Sequence, residues 1–301
     1  MKEELRPRSI EDAAEILRAL GGRKESVRFV GNGTKRAWGE LGSEPDSLLL
    51  TTGISGIVEH NSADLTAVVD AGTTFEELQS ALGEADQMLA LDPPDRNATV
   101  GGVVATGDSG PLRHRYGAAR DLLLGMTVAL SDGTVARSGG KVIKNVAGYD
   151  LAKLFAGSYG TLGLIARVSL RLHAKPPATS TAGGIATDAE AVRRAATAVT
   201  HAPLEAMAVD VAWEGGAGRA LARFGGATSH RQAERAASLM AEAGTDPELI
   251  DDDETVWREQ RSRQRNDGGT VVRVSGLQTE ISRVLRAAER IGGSVAGRAG
   301  G

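Results

Sequence analysis

The sequence feature that most constrains the fold is a glycine-rich junction between a helix-like segment and an apolar strand. Residues 145–165 read NVAGYDLAKLFAGSYGTLGLI, with glycines at positions 157, 160 and 163. Glycine adopts positive φ angles at little cost and lets another group approach the main chain closely. Three glycines at one junction therefore predict that something lies directly against the backbone there.

Two more glycine-rich segments stand beside predicted strands. GNGTKRAWG (31–39) directly follows the apolar run VRFV (27–30), which predicts a buried strand. NATVGGVVATGDSG (97–110) lies in a longer stretch, 92–110, that we expect to be a loop because glycines interrupt it repeatedly. A long ligand with a diphosphate and a large planar ring would use all three segments. Ordinary turns are the alternative that the spacing leaves open.

The segment after VRFV differs from the standard nucleotide-binding loops. Arg36 occupies the place of the third glycine in the dinucleotide fingerprint, and the Gly-Lys-Ser/Thr ending of a P-loop is missing. What remains is a run of small residues whose N–H groups can converge on an anion. The pattern argues against a nicotinamide-dependent dehydrogenase.

The rest of the pattern up to residue 174 predicts mixed helices and strands. Ser9 can cap a helix over 10–20, which Gly21 would end. The other expected elements are strands over 47–51 and 66–72, a helix over 73–86, a hairpin over 120–140 turned at 131–133, and a strand over 166–174.

Composition excludes several kinds of chemistry. The chain has no cysteine, so disulfides, thiol catalysis, cysteinyl flavin links and a self-held iron–sulfur cluster are ruled out. The histidines are scattered and no metal site is expected. A net charge of −4 gives no reason to expect nucleic acid or an anionic membrane as a partner. The charged N-terminus and the lack of a long apolar run lead us to expect a cytoplasmic protein.

A second domain is predicted to follow Lys175-Pro176-Pro177, because consecutive prolines stop both helices and strand ladders. We expect domains over 1–174 and 175–301, the second with β-α-β-β-α-β order typical of a ferredoxin-like sandwich. The elements expected there are strands over about 180–187, 206–213, 218–225 and 269–276, and helices over 188–201, 228–244 and 278–292. The charged segment 251–267 interrupts this order. The chain ends at GSVAGRAGG, just inside a strand, which suggests a truncated domain. The fold class expected for the whole chain is α+β.

The glycine-rich segments also carry a family resemblance. ATVGGVVATGDSGP, followed by YGAARDLLLGMTVALSDGTVARSGG and the junction around 145–165, resembles the FAD-binding domain of the vanillyl-alcohol oxidase/PCMH superfamily. GGKVIKNVAGYDLAKLFAGSYGTLG is most similar to the smaller of the FAD-binding subunits of bacterial glycolate oxidases. The resemblance covers about 5–173. It implies two α/β subdomains that cradle FAD, followed by a cap domain.

The resemblance implies a role for each glycine-rich segment. The first would hold the diphosphate through backbone N–H groups, and the second would line the diphosphate, ribityl and flavin path. The third would close on the ribityl and adenosine side. Two residues between the second and third segments would lie near the flavin ring. In chain order these are Gly31, Asn32, Gly33, Thr34 and Lys35; Thr99, Gly101, Gly102, Thr106, Ser109 and Gly110; Tyr116 and Gly117 near the ring; and Gly160, Thr161, Gly163 and Ile165. Many relatives attach flavin covalently through histidine in the first segment, or through cysteine. Both are missing here, so we expect noncovalent FAD.

Catalytic residues stay unassigned at this point. By motif, the nearest candidate cations for a reduced flavin are Arg113, Arg115, Lys141 and Lys144, although the pattern favours solvated surface charges. His114 is expected to be an ordinary loop histidine. In the third segment Tyr159 stands where relatives often carry glutamate.

The function that the resemblance implies is a noncovalent FAD-binding subunit of a glycolate-oxidase-type 2-hydroxy-acid dehydrogenase. Its expected partners are a larger FAD subunit and an iron–sulfur subunit, since a chain without cysteine holds no cluster itself. These partners could attach it peripherally to the inner membrane. Two alternatives stay open: a self-sufficient FAD-dependent oxidoreductase of another hydroxy acid or alcohol, and a non-catalytic flavin-binding scaffold.

Overall fold

The computed structural model of the chain describes residues 3–38, 44–140, 151–265 and 269–300. These residues form two compact units. Unit 1 runs to Ser109 and resumes over Gly117–Lys175, whereas unit 2 comprises Gly110–Tyr116 and the chain from Pro176 onward. Helices and strands occur in both units, which confirms the expected α+β class.

Helices and strands are interspersed along the described residues. Up to residue 175 they are β1 (Glu3–Leu5), α1 (Ile10–Arg23), β2 (Val27–Val30), β3 (Ser47–Leu50), β4 (Ile57–Asn61), β5 (Thr66–Asp70), α2 (Phe75–Gly83), β6 (Gln87–Met88), α3 (Val100–Thr106), α4 (Arg113–Tyr116), α5 (Ala119–Leu122), β7 (Leu123–Ala129), β8 (Val135–Gly139), α6 (Ala152–Phe155), β9 (Leu164–Arg171) and β10 (His173–Ala174). From residue 176 they are β11 (Thr179–Ala186), α7 (Ala189–His201), β12 (Ala208–Glu214), β13 (Ala217–Gly225), α8 (Ser229–Glu242), β14 (Asp246–Ile250), α9 (Glu254–Ser262), α10 (Ile281–Arg290) and β15 (Val295–Arg298).

Unit 1 contains a small parallel sheet and a larger antiparallel one. The parallel sheet has the order β1-β3-β2, and the antiparallel sheet has the order β4-β5-β9-β7-β8. Helix α1 joins them through one apolar face, on which Ile10, Ala14 and Leu17 pack with Leu49 of β3 and Leu164 of β9. The side chain of Ser9 caps this helix as predicted, but the helix continues past Gly21 to Arg23.

The prediction of a loop over 92–110 was wrong over its central part. Residues Val100–Thr106 form α3, whose first turn is capped by the Thr99 hydroxyl, and Gly107 ends it with φ +63°. Three valines at i, i+3 and i+4 spacing, Val100, Val103 and Val104, are buried on one side. Their packing outweighs the unfavourable helix propensity of the two glycines that lie between them.

Unit 2 has a five-stranded sheet of order β14-β11-β13-β12-β15. Its first four strands reproduce the antiparallel ferredoxin-like arrangement, and β15 extends the sheet at one edge by pairing with β12. Helices α7 and α8 cover one face, where Val192, Val199 and Met240 are buried against Val209 and Phe224.

The last strand of this motif lies elsewhere than predicted. The pairing strand is β14, whereas 269–276 is not a strand, and Val271, Val272 and Val274 are exposed. The sequence pattern did not predict β14, because its sequence DPELI contains a proline and two acidic residues. Proline is tolerated there because β14 is an edge strand.

The charged segment 251–267 contains helix α9, which covers part of the other sheet face. Val256 and Trp257 pack there with Ala208 and Leu221. Asp253, at the start of the helix, is buried and accepts hydrogen bonds from Arg223. One side of α9 is therefore packed on the sheet, so this part of the charged segment helps to stabilise unit 2. None of the helices in the described residues combines the length and apolar character needed to cross a bilayer.

Candidate functional site

The first and second glycine-rich segments meet where β2 ends and α3 begins. A Cβ atom added to Gly31 would collide with the Thr99 hydroxyl and lie 2.8 Å from Thr99 Cγ2. The side chain of Asn32 donates a hydrogen bond from Nδ2 to the Asn97 carbonyl at 2.8 Å. The turn after β2 is therefore held against the residues that lead into α3.

The third segment lies against the other end of α3. The Gly157 N–H donates to the Val104 carbonyl at 3.0 Å, and the Tyr159 N–H donates to the Ala105 carbonyl at 2.8 Å. Both carbonyls lie in the last turn of the helix, and the Val104 carbonyl also accepts from the N–H of Gly107, the residue that ends the helix. α3 thus connects all three segments within unit 1.

A buried ion pair fixes the first segment to the residues that follow α3. Lys35 Nζ lies 3.1 Å from Asp108 Oδ2, and both side chains are almost fully buried. The same ammonium group lies 5.7 Å from the centre of the Trp38 ring. Because Asp108 neutralises its charge, Lys35 positions the segment, and an anion there would depend on main-chain N–H groups.

Several glycines of the three segments are required by contacts within the protein. A Cβ on Gly101 would lie 2.7 Å from Ala71 Cβ, one on Gly160 would lie 3.0 Å from Phe29 Cδ2, and one on Gly163 would lie 2.9 Å from the Ala129 carbonyl oxygen. Close approach of neighbouring strands and turns therefore explains these positions without a ligand. Gly157 differs, because a Cβ there would meet no atom within 4 Å.

Polar side chains in these segments largely support the segments themselves. The Thr99 hydroxyl accepts from the Gly102 N–H, the Thr106 hydroxyl donates to the Gly102 carbonyl at 2.8 Å, and the Thr161 hydroxyl donates to the Ser158 carbonyl at 2.7 Å. Ile165 is buried in β9, where it pairs with Val128 of β7. Gly33 has φ +72°, a conformation that favours glycine.

Sequence reasoning missed one polar atom. The Ser158 hydroxyl oxygen is buried and has no hydrogen-bond partner within the described residues. A buried hydroxyl without a partner is costly, and a bound polar group would satisfy it. In GSYG (157–160) the glycines and Tyr159 matched or departed from a known pattern, whereas nothing in the sequence singled out Ser158.

The third segment also exposes an apolar surface. Leu151, Leu154, Tyr159 and Leu162 are each about half exposed or more. The sequence before Gly157 is helix-like, but the helix there, α6, has only four residues, Ala152–Phe155. Exposed apolar side chains concentrated on one segment are typical of a binding surface.

The segment between the two parts of unit 1 belongs to unit 2. It contains Gly110, Tyr116 and His114, whereas Gly117 belongs to unit 1 and has φ +81°. Burial lowers the pKa of His114 and raises the pKa of Tyr116. Arg115 donates to the Glu205 carbonyl at 3.1 Å, which gives it a structural role within unit 2.

The remaining candidates from the sequence are two lysines and a possible metal site. Lys141 and Lys144 lie outside the described residues. Among the residues that the structure does describe, no three histidine or acidic side chains come close enough together to hold a metal ion.

Comparisons with known proteins relate the first part of the chain to flavoproteins. Residues 3–139 match the family model described as FAD binding domain. The chain is 41% identical over 126 residues to glycolate oxidase subunit GlcE of Escherichia coli, which covers 41% of this chain and 36% of the relative. It is 32% identical over 176 residues to glycolate oxidase subunit GlcD of Bacillus subtilis, covering 58% and 37%. D-2-hydroxyglutarate dehydrogenase of Rattus norvegicus is 33% identical over 179 residues, covering 59% and 34%. The chain spans little more than a third of the length of these relatives.

Solved structures share the fold at low sequence identity. Alkyldihydroxyacetonephosphate synthase matches with a TM-score of 0.72 and 16% identity, covering 86% of this chain and 54% of the other. A Phl p 4 variant described as a glucose oxidase matches with a TM-score of 0.65 and 16% identity, covering 82% and 51%.

Proposed function

We propose that this chain is a noncovalent FAD-binding subunit of a glycolate-oxidase-type 2-hydroxy-acid dehydrogenase, because residues 3–139 match the family model described as FAD binding domain. Relatives named as glycolate oxidase subunits and as a 2-hydroxy-acid dehydrogenase support this reaction class. The lack of cysteine in the chain and of histidine in the first segment supports noncovalent attachment, because the resemblance implies those residues as the covalent attachment points.

The observation that carries the proposal is the meeting of three glycine-rich segments around one short helix. Gly31 touches Thr99 before α3, and Gly157 and Tyr159 donate to its last carbonyls. Segments that are far apart in the sequence would bind one extended ligand in this way. The three glycine-rich segments of the sequence predict a ligand of that kind.

The residues present fit FAD. The first segment offers main-chain N–H groups to the diphosphate, with Gly33 in a conformation suited to converging N–H groups. Ser158 supplies a buried hydroxyl that lacks a partner among the described residues, and Gly157 leaves room beside it. The exposed apolar side chains of 151–162 supply a surface for the adenine ring, on the adenosine side that the resemblance implies for this segment.

The chemistry follows from the cofactor. FAD, when bound, supplies a two-electron acceptor for the carbon that carries the substrate hydroxyl. The chain's own residues bind and orient it. Lys35 and Asp108 hold the first segment in place, and the packing of Val103 and Val104 keeps α3 fixed beneath the third.

The proposed partners are a larger FAD subunit and an iron–sulfur subunit. Two relatives are named as glycolate oxidase subunits, which supports a complex. The iron–sulfur subunit is part of the proposal because any iron–sulfur cluster that accepts electrons from this cysteine-free chain would have to be held by another chain. Attachment to the inner membrane, on this proposal, occurs through these partners.

The first test is identification of the cofactor. The full chain is purified, precipitated with acid, and the supernatant is analysed by chromatography and fluorescence. We expect FAD in the supernatant and none in the pellet. Flavin that stays in the pellet would contradict noncovalent binding, and flavin-free protein that fails to take up added FAD would contradict the proposal as a whole.

Two matched variants locate the cofactor. Leu162 and Val58 are both about half exposed, but only Leu162 lies in the third segment. Leu162→Asp places a carboxylate beside the proposed ring and should weaken FAD binding about tenfold, whereas Val58→Asp should leave it unchanged. Equal effects in a fluorescence titration would argue against this location.

The second test separates the subunit from its alternatives. The chain is assayed alone and after co-purification with its partners, with glycolate, D-lactate and a dye acceptor. We expect turnover only in the complex. Full turnover by the chain alone would favour a self-sufficient oxidoreductase, and FAD that substrate never reduces in the complex would favour a scaffold role.

A further inference from the structure

A row of polar side chains crosses the large antiparallel sheet of unit 1. Asp70 of β5 pairs with Arg167 of β9, Arg167 pairs with Thr127 of β7, and Thr127 pairs with Arg137 of β8. Directly paired residues point to the same side of a sheet. The row therefore brings two guanidinium groups and a hydroxyl to one place.

This row lines a cavity of about 210 Å³. The start of α1 and the turn after β3 complete its wall, with Arg8, Ser9 and Ser55. None of the lining residues belongs to the three glycine-rich segments. The cavity is therefore separate from the proposed flavin site.

The arginines of the cavity have unused donors. Arg167 donates from Nε to Asp70 Oδ1 at 2.6 Å, which fixes its direction, and its terminal nitrogens make no other hydrogen bond among the described residues. The side chains of Arg8 and Arg137 have no acidic partner within the described part of the chain. Three positive charges face two carboxylates, Glu11 and Asp70, and Asp70 is already engaged.

Thr127 adds a hydroxyl donor to the wall of the cavity. It is 9% exposed and lines the cavity, and its hydroxyl has no hydrogen-bond partner in the described residues. The oxygen is not one of the fully buried side-chain atoms that lack a partner, so solvent in the cavity reaches it, and it still has no partner within the protein's described residues. A ligand oxygen in the cavity would supply one.

We propose that this cavity binds a phosphate group, either free or as the monoester of a small molecule. Guanidinium groups match the geometry of phosphate oxygens, and charge-assisted hydrogen bonds of this kind are the stronger ones. Arg167, held by Asp70, and Thr127 form the floor, and Arg8 and Arg137 approach from the rim. Glu11 opposes binding and limits the affinity.

Calorimetric titration tests the proposal. Inorganic phosphate and glycerol 3-phosphate are titrated into the full chain with excess FAD, at constant ionic strength, so that the flavin segments are filled and screening is equal. Saturable binding at one site is expected for at least one of them. The ligand that binds more tightly identifies free phosphate or the ester as the source. No saturable binding of either would overturn the proposal.

Variants place the binding in the cavity. Arg137→Gln, at an exposed position, and Thr127→Val should each weaken binding about tenfold, whereas Glu11→Gln should tighten it severalfold. Arg171→Gln is the matched control, because Arg171 is exposed on the same strand as Arg167 but lies outside the cavity. Binding that survives Arg137→Gln, or that Arg171→Gln weakens equally, would refute the site. Because Arg137 is exposed, its variant stays informative if Thr127→Val does not fold.

Discussion

Lys35 Nζ and Asp108 Oδ2 lie 3.1 Å apart, with side chains only 6% and 5% exposed. This contact joins the turn after β2 to the residues after α3, two regions separated by more than seventy positions in the sequence. The first glycine-rich segment is therefore positioned by a charge pair inside the protein.

Removing one partner of this pair should be costly. Lys35→Met removes a buried positive charge 3.1 Å from the Asp108 carboxylate, and we expect the free energy of unfolding to fall by about 3–5 kcal/mol. Urea unfolding measures this. The double variant Lys35→Met/Asp108→Leu should recover most of the loss. As a control, Arg96→Met breaks the exposed pair with Glu76 and should cost less than about 1 kcal/mol. A loss as small as this control in Lys35→Met would show that the pair does not hold the segment.

Gly31 tests the close contact between the first segment and α3. An added methyl group would overlap the side chain of Thr99, so Gly31→Ala should destabilise the chain by about 1–3 kcal/mol and weaken FAD binding with it. Gly22→Ala is the matched control, because a Cβ there meets no atom within 4 Å and the residue lies in α1. Alanine in a helix should stabilise by about 0.5–1 kcal/mol. Opposite signs for the two variants in thermal unfolding are the expected result.

The sequence predicted the glycine-rich segments but misjudged the element between them. Gly101 and Gly102 disfavour a helix in isolation, so a loop was expected. In the folded protein, Gly101 lets α3 approach Ala71 closely, and Val103 and Val104 are buried. Tertiary packing decided the outcome, and a single sequence records packing only indirectly. The ion pair between Lys35 and Asp108 and the burial of the Ser158 hydroxyl likewise depend on contacts between distant segments, which a single sequence does not show.

A titratable group in unit 2 makes stability depend on pH. Burial raises the pKa of Asp210 from 3.8 to about 6, although a hydrogen bond from Gln260 and the charge of Arg298 oppose the shift. Between these two values the folded chain keeps a proton that the unfolded chain has lost, so stability falls as the pH rises through this window. Above it, the folded state carries the full cost of a buried charge.

Asp210→Asn should remove this cost. At about pH 7.5 the variant should be more stable than the parent by about 3 kcal/mol, and at about pH 4 the two should be nearly equal. Unfolding free energies at both pH values provide the measurement. A variant that is less stable than the parent at the higher pH would contradict the raised pKa.

The valine-rich segment 269–276 shows why strand patterns mislead. β-branched residues in GTVVRVSG favour a strand, but a strand also needs a neighbour with free backbone groups. In the described residues that position in the sheet is taken by β14, which pairs with β11. The pattern correctly indicated a propensity for strand, but it did not indicate which segment would pair at the edge of the sheet.

The same substitution in two valines distinguishes the exposed segment from a true strand. Val272 is 75% exposed outside any strand, whereas Val209 is fully buried in β12. Valine-to-threonine replaces a methyl group by a hydroxyl, which is costly only where water is excluded. Val272→Thr should therefore change the free energy of unfolding by less than about 0.5 kcal/mol. Val209→Thr should lower it by about 1–3 kcal/mol, because its hydroxyl enters an apolar core. If Val272→Thr cost as much as Val209→Thr in urea unfolding, the segment would have to be packed as a strand, and the exposed position would be wrong.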